Sequence, residues 1–207
     1  IIRRVLNIFH ILENNEEQQT RLIDICLFKY NYRKTSTVFN PQARSVLKTL
    51  ITKSNGVETF IVSMSHADSL KARINLLRGT GKNWRNWWLD VLADRVYGSA
   101  KKFELSPDSF ELPEVREISN LDRPIYLRRQ RYYDVLMSIL QKTKSDWKDM
   151  VVIGDHLELD LIMPWEFGAT MGLVVNDATP KYEIDFVETA KKGYIIRELK
   201  EVFDLLK

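Results

Sequence analysis

Two acids pose the first chemical question. The apolar run Val151-Val152-Ile153-Gly154 stops at Asp155, and a second acid, Asp160, follows five residues later. A carboxylate at a strand tip, with another in the first turn of the next helix, can hold a divalent cation through oxygen ligands. The same acids can equally do no more than cap and charge a helix N-terminus. Ser63 and Ser65 close another apolar run, and the basic pairs Lys101-Lys102 and Arg128-Arg129 flank a proline-containing stretch. A lone serine commonly satisfies its own loop backbone, and a surface cation is commonly only solvated. His10, His66 and His156 are too scattered to suggest a zinc site. The segment Arg78-Gly79-Thr80-Gly81-Lys82 lacks the spacing of a phosphate loop and follows a helix rather than a strand, so it reads as a plain loop.

The elements that position these residues alternate along the chain. Strands are expected over residues 22–32, 59–65, 94–99, 149–154, 169–176 and at the start of 194–207. Helices are expected over 40–54, opened by Asn40 and Pro41, and over 67–79, 83–93, 128–143 and 159–168, with an amphipathic helix ending the chain. Residues 101–127, with Pro107, Pro113 and Pro124, read as irregular. Apolar strands alternating with helices call for a parallel sheet covered on both faces. Ligands then sit beyond the carboxyl ends of the strands. Those ends are Asn31, Ser63 to Ser65, Ser99 and Asp155, and they are expected to converge.

Bulk properties narrow the classes. The chain has 207 residues, 44% hydrophobic and 29% charged, which suits a globular core and argues against disorder. Its 31 basic and 28 acidic residues interleave without a long block of one sign, so nothing in the charge argues for a nucleic-acid groove. The one cysteine, Cys26, lies in an apolar run, and the expected setting is intracellular and reducing, such as the cytoplasm or a mitochondrial matrix. No apolar stretch reaches the length of a membrane span. Residues 1–20 read as a helical extension without the layout of a signal peptide, and the first residue is not methionine, as in a fragment or processed product. Trp84, Trp87 and Trp88 share a helix face, either as core or as an aromatic patch for a partner.

The segments Ile61-Val62-Ser63-Met64-Ser65 and Val151 to Val175 resemble the haloacid dehalogenase (HAD) superfamily, and the likeness extends over residues 22–207. Residues 83–103 and 154–160 are faintly similar to its purine 5′-nucleotidase branch. The resemblance implies a three-layer, Rossmann-like core over residues 21–207, with no large cap and a small insertion, 101–127, after the third strand. It also implies phosphoryl chemistry supported by Mg²⁺. Asp155 and Asp160 would then be the metal-binding acids, and Ser63, with Ser65 beside it, the phosphate-binding hydroxyl. The cation that neutralises the phosphoryl group would be Arg128 in the commoner layout of the family or Lys101 in the nucleotidase one.

The family's first motif, Asp-x-Asp-x-Thr, is the part that departs. One register keeps Thr35 but puts Asn31 at the nucleophile and Arg33 at the acid–base position; the other offers Asp24 with Cys26 where the second acid belongs. Asp24 is followed by Ile25, Cys26, Leu27 and Phe28, so it stands near the beginning of its strand, whereas Asn31 stands at the end. Strand geometry favours the first register. An amide is a poor nucleophile, and losing a covalent nucleophile can cost on the order of a millionfold in turnover. A cation such as Arg33 about 4 Å from a divalent ion is opposed by roughly 8 kcal/mol at an effective dielectric of 20. Arg33 is therefore expected either to point away or to replace the metal beside Asp155 or Asp160. The resulting expectation is a degenerate HAD protein that serves binding or scaffolding, with other proteins as partners and a phosphate-bearing ligand possible. The alternative is an active Mg²⁺-dependent phosphatase.

Overall fold

The computed structural model describes residues 39–53, 56–78, 86–106 and 111–206. All but the first three belong to one unit, Gln42–Lys207. The expected N-terminal helix, the strand over 22–32, and the positions Asp24, Cys26, Asn31, Arg33, Thr35 and Trp84 lie outside the described residues.

Helix α1 (Ala43–Lys53) follows Pro41 and buries Val46 and Leu50, four residues apart on one face. Strand β1 (Ile61–Val62) leads into α2 (Ala67–Leu76), and α3 (Trp87–Asp94) leads into β2 (Val96–Tyr97). β1 and β2 pair in parallel, Ile61 with Val96 and Val62 with Tyr97. Trp88, Leu89 and Leu92 of α3 are buried in a cluster with Ile74 of α2. Trp88 is thus a core residue, while Trp87 on the neighbouring position stays half exposed, at 52%.

After β2 the chain forms a short antiparallel pair, β3 (Val115–Arg116) with β4 (Ile125–Tyr126). The sequence read this stretch as irregular; Pro113 and Pro124, which cannot donate to a ladder, limit each strand to two residues. Helix α4 (Gln130–Thr143) buries Tyr132, Leu136, Ile139 and Leu140 at helical spacing and ends at Lys144 in the left-handed conformation. A single tight turn at Trp147–Asp149, closed by a reciprocal Asp146–Asp149 capping box, delivers the chain to β5 (Val151–Gly154).

β5, β6 (Thr170–Val174) and β7 (Gly193–Ile196) form a parallel sheet in that order. Parallel strands need crossovers, supplied here by α5 (Ile162–Glu166) and by α6 (Lys181–Thr189), which the sequence reading missed. The structure is therefore mixed α/β with parallel sheets.

Two expected helices take other forms. The one expected over 159–168 opens instead at Leu157 with a wide π turn, Leu157–Leu161, before α5. Pro164 has no N–H to offer the carbonyl of Asp160 four residues back, and its ring crowds that carbonyl, so the turn widens. The last element, Leu199–Leu206, is a 3₁₀ helix rather than an α-helix. Its entrance is held tight because a carboxylate oxygen of Glu201 accepts the backbone N–H groups of Arg197 and Glu198.

Candidate functional site

The loops after β1 and β2 are stitched together. Ser99 N–H donates to the carbonyl of Ser65 at 2.9 Å, and Ala100 N–H to that of Ser63 at 3.0 Å. This close approach requires Gly98, where a Cβ would stand 2.2 Å from the backbone nitrogen of Ala67. Ser63 Oγ accepts the N–H of Ser65 at 3.2 Å, so its hydroxyl braces its own loop while keeping its proton to donate elsewhere. Ser99 and Lys101 both take positive φ, 54° and 43°. This winding chain returns Ala100 and Lys102 to the interior, 0% and 8% exposed, and leaves Lys101 outside.

Lys102 Nζ lies 2.7 Å from Asp160 Oδ1, and both side chains are largely shielded from water. The ammonium also stands 4.9 Å from the centre of the Tyr132 ring, on the side chain that donates its hydroxyl to the Asp160 carbonyl at 2.8 Å. Burial pushes the Tyr132 phenol up, and the Asp160 charge adds to this. Asp160 can lie so close to the strand because residue 154 is glycine: a Cβ there would be 2.6 Å from Asp160 Oδ2.

A second charged group supports the first from behind. The Arg129 guanidinium, 3% exposed, donates to the carbonyl of Lys102 at 2.6 Å and to Glu158 at 3.2 Å. Glu158 also receives Arg123 at 2.6 Å. Burial lowers the Arg129 pKa, against the opposing pull of Glu158. For Glu158 burial acts upward, but the Arg123 hydrogen bond with the charges of Arg123 and Arg129 brings it below the usual carboxylate range. On the far side, the buried Glu183 carboxylate accepts Leu157 N–H at 2.9 Å and meets His156 Nδ1 at 3.4 Å, anchoring the start of the π turn.

The sequence-derived candidates take different partners. Ser63 and Ser65 share the loop after β1, and Asp155 stands exposed at the carboxyl end of β5. Asp160 is joined by Lys102, the neighbour of the expected Lys101. Lys101 reaches Glu104 at 2.6 Å on the surface, and Arg128 Nε donates to the Leu112 carbonyl at 3.4 Å. Asn31, Arg33 and Thr35 lie outside the described residues. Sequence reasoning named Arg129 only as the neighbour of Arg128, and passed over Glu158, Tyr132 and Glu183. Pro164, placed four residues after Asp160, was the one signal pointing to an outside donor for that carbonyl.

Mg²⁺ takes six oxygen ligands in octahedral array, commonly one or two carboxylates with several waters. Among the described residues no three acidic, histidine or cysteine side chains gather to hold a metal ion. Of the two acids expected at such a site, Asp160 is held by the Lys102 ammonium and Asp155 stands exposed. Among the described residues, no helix is long and apolar enough to cross a membrane. Compared with known proteins, the chain matches no family model and no curated protein.

Proposed function

We propose that this chain is a HAD-like protein of phosphatase ancestry that binds a phosphate-bearing ligand or a partner without turning it over. The observation that carries the reading is the shielded Lys102–Asp160 pair beyond the carboxyl ends of β2 and β5. A buried cation held by an acid, close to a serine-bearing loop, is the equipment for receiving a phosphoryl anion. Asn31 and Arg33, where the resemblance asks for two acids, remove the covalent nucleophile and the proton carrier. Phe103 and Leu105, exposed at 61% and 49%, offer apolar surface for a protein partner beside this equipment.

The test is an assay of the full chain for Mg²⁺-dependent hydrolysis of p-nitrophenyl phosphate, with a parallel search for an acid-stable phosphoryl-protein. The expected result is neither turnover nor intermediate. Turnover that disappears in Asp155→Ala would overturn the proposal in favour of an active Mg²⁺-dependent phosphatase.

A further inference from the structure

The antiparallel pair β3–β4 has one buried and one exposed face. Val115 stands opposite Tyr126 in the ladder, and Arg116 opposite Ile125. Partners across a ladder share a face, and neighbours along a strand alternate between faces. Ile125 and, two positions on, Leu127 are fully buried in the main core. Val115 and Tyr126 therefore point away from it, 37% and 40% exposed. Arg116, on the inner side, is taken up by Glu166 and the face of the Trp165 ring.

Residues 103–106 extend this outer surface. Leu127 N–H donates to the Glu114 carbonyl toward β3, while the Arg128 carbonyl accepts Ser106 N–H, both at 2.9 Å. Successive residues of a strand direct their backbone groups to opposite sides, so Ser106 lies along the edge of β4 away from β3. Phe103 and Leu105, on the same stretch as Ser106, are exposed. Four large apolar side chains are thus gathered on three adjoining segments. Single exposed apolar residues are ordinary, but such a gathering marks an interaction surface.

The charges around the patch define the kind of partner. Lys101 is engaged with Glu104, Arg116 with Glu166 and Arg123 with Glu158. Arg128 gives its Nε–H to the Leu112 carbonyl. Glu111, Glu114 and Glu117 are exposed, and among the described residues none of the three forms an ion pair. An acidic rim repels a nucleic acid or an anionic membrane. A second copy docked face to face across a two-fold axis would set the same carboxylates against each other. β4 has a neighbour on each edge, so a partner meets it through side chains rather than as an added strand. We infer that this face is the docking surface for a basic amphipathic helix of a partner protein. Its apolar stripe lies on Phe103, Leu105, Val115 and Tyr126, and its Lys or Arg side chains face Glu111, Glu114 and Glu117. The inference deepens the proposed function by naming the class of partner, and it rests on that reading in taking partner binding as part of the role.

Fluorescence anisotropy tests it, with the full chain titrated into a labelled amphipathic helical peptide of Leu and Lys, about 18 residues long. A twin peptide carries Glu in place of every Lys. The chain has a net charge of +3, so its overall field favours the acidic twin, and a preference for the basic peptide must arise locally. The basic peptide is expected to bind at least about tenfold more tightly than the twin. Phe103→Ser with Tyr126→Ser should weaken it by about tenfold or more. Glu114→Lys with Glu117→Lys should reverse the preference. All four positions are exposed, so circular dichroism and melting temperature should match the parent. Absence of binding, equal binding of the two peptides, or a preference that survives the charge reversal overturns the inference. Self-association of the full chain that is lost in the Phe103→Ser, Tyr126→Ser variant also overturns it, assigning the face to a second copy. Turnover of p-nitrophenyl phosphate would instead refute the proposed function and leave the peptide result standing.

Discussion

The hydroxyl of Tyr132 donates to the backbone carbonyl of Asp160 at 2.8 Å, across 28 positions of sequence. Pro164 frees that acceptor, because it lacks the N–H that an α-helix would place there. The carbonyl is partly buried beside a widened turn, so losing the hydroxyl removes its side-chain donor. Tyr132→Phe is expected to cost about 1–3 kcal/mol. Pro164→Ala restores a local donor, so the loss from Tyr132→Phe should shrink in that background. A double-mutant cycle in urea measures the coupling; additive effects would refute the link.

The Lys102–Asp160 pair predicts an asymmetry. Removing one partner leaves a charge in a shielded place, and Lys102→Met is expected to cost about 3–5 kcal/mol. Replacing both, as Lys102→Met with Asp160→Leu, should recover a large part of that loss, since apolar side chains of similar size avoid the desolvation of two ions. Chemical denaturation of the two variants compares them. A double variant as unstable as the single one would mean that the pair does not carry the local fold.

Gly154 offers a more local check. A methyl group at this position would meet Asp160 Cβ at 2.5 Å, and that atom is fixed by the turn rather than free to swing away. Gly154→Ala should therefore destabilise by about 1–3 kcal/mol, as overpacking does. It should also loosen the Lys102 contact. A melting temperature unchanged by this substitution would contradict the close packing of β5 against the π turn.

Much of the framework was readable because periodicity and strand-end polarity follow from burial. The strand at Val151–Gly154, its parallel partner at Thr170–Val174 and the helix at Gln130–Thr143 lie within the expected stretches. The acids Asp155 and Asp160 were visible as breaks in apolar runs. The choice of Lys102 over Lys101 was not, because it depends on positive φ at Ser99 and Lys101, and neither residue type announces that conformation. The burial of Arg129 and the shielding of Glu158 were hidden for a related reason. Charged residues are read as solvated by default, and only a tertiary partner such as Arg123 makes a shielded position tolerable.

Glu158 gives the last prediction. Burial alone would raise its pKa, but Arg123, by hydrogen bond and by charge, and then Arg129 reverse the sign and hold it below the ordinary value. A carboxyl with a lowered folded pKa contributes stability that is present above the unfolded value, near pH 4.3. That contribution fades as the pH falls through the folded value. Glu158→Gln should therefore be less stable than the parent at pH 7, and the gap between the two should close on acidification below about pH 4.3. Other carboxylates titrate in both proteins, so comparing urea midpoints from pH 7 down to pH 3 isolates this one group. Part of the neutral-pH loss belongs to Arg129, whose guanidinium, 3% exposed, would keep the Lys102 carbonyl but face a neutral amide in place of its counter-charge. A gap of constant size across the whole range would show that the Glu158 charge is not what binds Arg123 and Arg129 to the π turn.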